Sequence, residues 1–173
     1  MRPGLKYGLA GGAAMITWTL GEYAVGAHNT RFTLGQYTGW GVEVILFVTL
    51  WRMLRSRIAG LESAWLPAWE GMLHGALASF VAGLLFYTFL NLYVVFINPE
   101  WTDLYLEWQV ARMRSAGETE QAVRAFVLSF RWMSGPLGLA TLTMGLYTIL
   151  GGVFSAVATV WLNFLRKKPA LTG

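Results

Sequence analysis

Between Arg131 and Arg166 the chain has no Asp, Glu, Lys or Arg, and the run Leu137 to Leu165, "LGLATLTMGLYTILGGVFSAVATVWLNFL", is 29 residues long. A helix needs about 20 mostly apolar residues to cross a bilayer. A run that is apolar on every side must be surrounded by protein or lipid. A second run of this kind, "WEGMLHGALASFVAGLLFYTFLNLYVVF", extends from Trp69 to Phe96. Two shorter ones precede them: "YGLAGGAAMITWTLGEYAV" from Tyr7 to Val25, and a stretch that begins near Tyr37, stays apolar to Trp51 and ends in a basic cluster. These runs predict an all-α polytopic membrane protein with four transmembrane helices, at about residues 7–25, 37–56, 69–97 and 137–165, in one domain over 1–173. The last two exceed the minimum, so tilt or extension beyond the hydrocarbon is expected.

Charge supports this reading. Only 13% of residues are charged, where soluble domains carry about 25%. The net charge of +4 does not mark a nucleic-acid surface, because the positives gather at the ends of the apolar runs. With the N-terminus inside, Arg2, Lys6, Arg52, Arg55, Arg57, Arg166, Lys167 and Lys168 lie in cytoplasmic segments, and Arg31, Arg112, Arg114, Arg124 and Arg131 in outer ones. That bias puts both termini in the cytoplasm. Arg2 and Lys6 followed by an apolar stretch and "AVGA" also have the form of a secretory leader cut after Ala27, against which we read a retained first span. Trp65, Trp69 and Trp161 are expected at the inner interface, and Trp40, Trp101, Trp108 and Trp132 at the outer.

Residues 98–135 join the third and fourth spans. Asn98-Pro99 has the form of a helix cap followed by an N1 proline. Trp101, Leu104, Tyr105, Trp108 and Ala111 recur at helical spacing, Gly117 breaks the pattern, and Ala122, Val123, Phe126, Val127 and Phe130 form a second stripe before Gly135-Pro136. We expect an extracytoplasmic amphipathic helical pair, lying on the bilayer or capping the bundle.

Membrane helices associate through small residues. The third span carries Gly71, Gly75, Ser79 and Gly83 at intervals of four. The fourth carries Thr148, Gly152 and Ala156 on one line with Gly151 and Ser155 beside it, and the first has Gly8 and Gly12. Gly35, Gly39 and Glu43 are also four apart, which turns the Glu43 carboxylate toward a neighbouring helix. Glu22, Arg31 and Asn91 all fall near the same outer side, so Glu22, Arg31, Glu43 and Asn91 are the candidate polar cluster. Either Arg31 neutralises one carboxylate or the two share a proton.

The chain has no Cys, which excludes disulfides, Fe–S clusters, covalent c-type haem and a thiol nucleophile. His28 and His74 lie at opposite ends of the spans, so they cannot share a metal, and His74 alone is the only candidate ligand for a pigment or haem. No catalytic triad or phosphate loop can be assembled; "GLAGG" sits within a span and follows no strand.

The "KYGLAGGAAMI" opening, the second span from "GQYTGW" to a basic cluster, the glycine-bearing third span, the "NPEW" exit and the closing "LRKK" together resemble domain-of-unknown-function family 4199, small bacterial membrane proteins, over about Leu5 to Lys168. The resemblance implies four membrane helices in a bacterial inner membrane and no established activity. The expected function is a non-enzymatic helix-packing or interaction module, a homo-oligomer or an accessory subunit of a larger membrane complex. Its expected partners are the lipid bilayer and other membrane subunits or itself, with no nucleic acid and no cofactor. The competing expectation is a small proton-coupled transporter or channel using Glu43 and Glu22.

Overall fold

A computed structural model describes residues 3–61 and 65–167. Arg2, Lys168 and the side chain of Lys167, counted above among the inner positives, lie outside the described residues. Among the described residues every regular element is helical: α1 (Pro3–Ala24), α2 (Phe32–Thr38), α3 (Gly41–Ala59), α4 (Ala68–Leu92, continued by a π-helical turn Tyr93–Ile97), α5 (Trp101–Ser115), α6 (Glu120–Ser134), α7 (Pro136–Ala140, continued by a π-helical stretch Thr141–Leu146) and α8 (Tyr147–Lys167).

The long rods α1, α3, α4 and α8 form a bundle in which α4 lies against α8 and α1, and α3 lies against α1 and α8. Close contacts fix the directions. A Cβ at Gly4, Gly8 or Gly12 would meet, in turn, Leu77, Val81 and Leu85, so α1 and α4 run parallel. A Cβ at Gly71 would lie 2.0 Å from Thr159 Oγ1, at Gly75 2.0 Å from Ser155 Oγ, and at Gly83 2.0 Å from the Thr143 carbonyl, so α4 and α8 run antiparallel. The stripe on α4 is therefore a backbone-to-backbone seam, and Ser79 completes it by entering the space above Gly151. On α8 the contacting row is Gly151, Ser155 and Thr159. A Cβ on Gly152, which lies on the row the sequence favours, would meet Ala76 only at an ordinary 3.5 Å.

Apolar side chains fill the centre: Met15, Leu46, Leu50, Met53, Leu54 and Ala82 are fully buried. At the end holding the start of α1 and the finish of α8, Asn163 Nδ2 donates to the Leu66 carbonyl at 2.8 Å and Arg166 donates to the Ile58 carbonyl at 3.1 Å. A guanidinium there also complements the negative end of α3.

The second run differs from its expected form. It is two helices, broken at Gly39-Trp40. Trp18 Nε1 donates to the Thr38 carbonyl at 3.1 Å, while the amide of Val42, four residues on, turns to Gly39. The indole lies where a Cβ on Gly41 would be, at 2.3 Å, so a side chain from α1 is wedged into the ladder.

Two rods, Ala68–Ile97 and Pro136–Arg166, are long and apolar enough to cross a membrane. The sequence predicts four such helices. The other two rods are present in the bundle but fall short of that measure: α1 dilutes its apolar residues with five Gly and with Thr, Trp and Tyr, and α3 packs Glu43, Arg52, Arg55 and Arg57 into 19 residues.

Candidate functional site

At the opposite end of the bundle, α5 and α6 fold back as a hairpin through Gly117, whose φ of +80° belongs to the left-handed region. The amide of Gly117 bonds to the Arg114 carbonyl and that of Glu118 to the Met113 carbonyl, a Schellman stop. Thr119 caps α6 by accepting from the Ala122 amide at 3.2 Å. The hairpin closes through the Tyr105–Phe130 ring pair, 5.1 Å apart, and sits on α2 through Phe32–Tyr105 at 5.9 Å and Phe32–Trp108 at 5.6 Å. It therefore caps the bundle end. Arg114 and Glu120 pair across its tip at 2.9 Å.

Beneath this cap lies a hydrogen-bonded chain. The α1 helix stops at Gly26, φ +81°, with the Ala27 amide on the Glu22 carbonyl and the Gly26 amide on the Tyr23 carbonyl. This turn brings His28 back over the helix end, where Nε2 faces Glu22 Oε2 at 3.7 Å. His28 Nδ1 is 2.7 Å from the Tyr93 hydroxyl, and Asn98 Nδ2 donates both to that hydroxyl at 3.1 Å and to Asn29 Oδ1 at 2.8 Å. Because the Tyr93 oxygen accepts from Asn98, its own hydrogen is available to Nδ1, and satisfying every partner assigns the imidazole proton to Nε2, toward Glu22. Glu22, Tyr93 and Asn98 are all buried. Asn98 is therefore not the helix cap its position before Pro99 suggests: α5 begins at Trp101, and the Asn98 side chain is the hub of this network.

The four candidate residues do not meet as one group. Glu22 pairs with His28. Glu43, in the first turn of α3, accepts at Oε1 from the Tyr147 hydroxyl of α8 at 3.2 Å. Asn91 donates to the Tyr87 carbonyl of its own helix. Arg31 is exposed, and the ion pairs described, His28–Glu22 and Arg114–Glu120, do not include it. Glu22 Oε1 and Glu43 Oε2 are buried without a hydrogen-bond partner among the described residues.

A cavity of about 450 Å³ opens between the cap and the α2–α3 corner. Gly35, Gly39 and Glu43 share one wall of it, His28 stands at its back, and rings from Trp40, Trp101 and Tyr105 line the rest. The expected common face of Gly35, Gly39 and Glu43 thus exists across the break, and a Cβ on Gly35 would meet the Ala27 carbonyl at 2.7 Å. Burial pushes the Tyr105 phenol above its ordinary range, opposed in part by Arg112, so it stands there as a neutral ring. Arg112 is directed to the rim, where its guanidinium lies 5.6 Å over the Trp108 ring and donates to Gln36 Oε1. Among the described residues no group of three or more His, Asp or Glu is placed to hold a metal ion. His74 lies on the opposite half of α4, near Gly4 at the start of α1.

The features missed from the sequence were His28 and Tyr147 as partners of the carboxylates, and Tyr93 as the partner of His28. The spacing of five between Tyr93 and Asn98 was the available signal, because a π-helical turn ends there and the Asn98 amide bonds the Tyr93 carbonyl at 2.8 Å.

The fold defines an all-helical protein with two helices of membrane-crossing length and a capped polar–aromatic cavity at one end of its bundle. The family model described as "Protein of unknown function (DUF4199)" matches residues 6–163, and the chain belongs to that family. No curated protein and no solved structure matches the chain.

Proposed function

We propose that this is a four-span integral protein of a bacterial inner membrane, with both termini cytoplasmic, and that the capped cavity binds a small solute in a step linked to protonation of Glu43 and Glu22. In this reading the protein binds or transports and does not catalyse. The observation that carries it is a pair of carboxylates, Glu22 buried and Glu43 half-buried, each with one buried oxygen lacking a hydrogen-bond partner among the described residues, one of them facing the cavity and the other joined to it through His28. Ionisable groups within membrane segments are rare and mark solute or proton pathways.

Four crossings are supported by length and surface. The 22 residues of α1 and 19 of α3 span about 33 and 28 Å at helical rise, against a hydrocarbon core of about 30 Å. Their outward faces expose Leu9, Trp18, Leu20, Val44 and Val48, and α4 and α8 add Phe80, Leu84, Val153 and Val157. Apolar surface spread around all four rods suits lipid and not water. The packing-module reading has less to rest on, because Gly8, Gly12, Gly71, Gly75 and Gly83 are used inside the chain.

Proteoliposomes enclosing a pH dye test the proposal. Wild type should pass protons under an imposed potential, and Glu43→Gln and Glu22→Gln should abolish the flux while keeping the helical spectrum. No flux in any form would remove proton linkage. A stable native complex without flux would restore the accessory-subunit reading.

A further inference from the structure

We propose that the solute is a small organic cation, an amine or quaternary ammonium, held in the aromatic-walled cavity with its charge against Glu43. The proposal rests on the reading of the cavity as a binding site and adds the chemistry of its ligand. Among the described residues Glu43 is the one carboxylate on the wall, Tyr147 occupies its Oε1, and Oε2 is buried with no partner, so a donor or positive charge is what the site lacks. Trp40, Trp101 and Tyr105 present rings to the same space, and the negative faces of such rings attract cations within about 6 Å.

Other ligand classes fit less well. An anion would meet Glu43. A bare metal ion would need more oxygen or nitrogen ligands than the described residues supply. A neutral apolar solute would leave Glu43 Oε2 desolvated and unpaired. The remaining charged groups around the cavity do not oppose a cation: His28 turns its Nε2 proton to Glu22, and Arg112 is held at the rim by Gln36 and Trp108.

The test is a titration of purified protein, by tryptophan fluorescence and calorimetry, with choline, tetraethylammonium and the uncharged isostere of choline in which carbon replaces the ammonium nitrogen. Saturable binding of at least one cation and none of the isostere is expected, with loss of binding in Glu43→Gln. Trp40 is 71% exposed, so Trp40→Leu should fold normally. It should weaken the cation about 2- to 30-fold, the range spanned by one ring face, and Trp40→Phe should recover part of that loss. Equal binding of the isostere, binding indifferent to both Glu43→Gln and Trp40→Leu, or no binding of either cation would overturn the proposal. Proton flux that persists in a protein binding neither cation would sink the ligand class and leave the proton-linked site standing; loss of both would remove both.

Discussion

Replacing Gly83 by Ala tests whether α4 and α8 meet backbone to backbone. The added Cβ would lie 2.0 Å from the Thr143 carbonyl oxygen and 2.9 Å from its carbon, where ordinary contact starts at 3.4 Å. The obstacle is backbone within the π-helical stretch, so no rotamer change relieves it; the helices must part by about 1.4 Å locally and loosen the neighbouring Ser79–Gly151 contact. Overpacking of this kind costs about 1–3 kcal/mol, here at the upper end, and Ala returns about 1 kcal/mol of helix propensity relative to Gly. Gly83→Ala should therefore lose about 1–2 kcal/mol. Gly152→Ala is the control: its nearest neighbour would be Ala76 Cβ at 3.5 Å, so it should gain up to about 1 kcal/mol. Equilibrium unfolding in mixed micelles, with both variants side by side, measures the difference. A Gly83→Ala protein as stable as wild type, or a Gly152→Ala protein less stable than Gly83→Ala, would refute the seam.

Other outcomes follow from the capped end. Tyr93→Phe removes the hydroxyl that both His28 and Asn98 use; stability should fall by about 1–3 kcal/mol, and hydrogen exchange should rise first around 26–29 and 97–101. Gly117→Ala places a side chain at φ +80° with nothing nearby to clash, so it should cost about 1–2 kcal/mol from backbone conformation alone, whereas Gly117→Asn should cost less. Glu120 is held below the ordinary carboxylate range by its hydrogen bond to Arg114. Its contribution is therefore present above the unfolded carboxylate pKa and is lost as pH falls through the lower folded value. Both groups are fully exposed, so Glu120→Gln should shift the neutral-pH melt little and should blunt acid loosening of the hairpin tip, as read by exchange at 114–120.

How far the sequence revealed this structure depended on the kind of information each feature needed. The α4 stripe was legible because four small residues at intervals of four can serve only one close contact. The matching row on α8 was not, because two adjacent rows of small residues compete there and the π-helical stretch Thr141–Leu146 sets which one faces α4. Two helices of membrane length were evident from the missing charge, while the break before α3 depended on an indole from another helix bonding the Thr38 carbonyl. The site was half legible. Glu22 and Glu43 stood out as acids within apolar runs, but Arg31, as the strongest nearby charge, drew the pairing that the turn at Gly26 gives to His28.

The most direct test of the membrane threading, at α3 and α4, uses the absence of native cysteine. Single cysteines placed at Arg31, Gly60 and Glu118 can be labelled in intact cells with a membrane-impermeant maleimide. The account predicts labelling at 31 and 118 from outside, and at 60 only after the membrane is opened. Labelling of all three from the same side would contradict it.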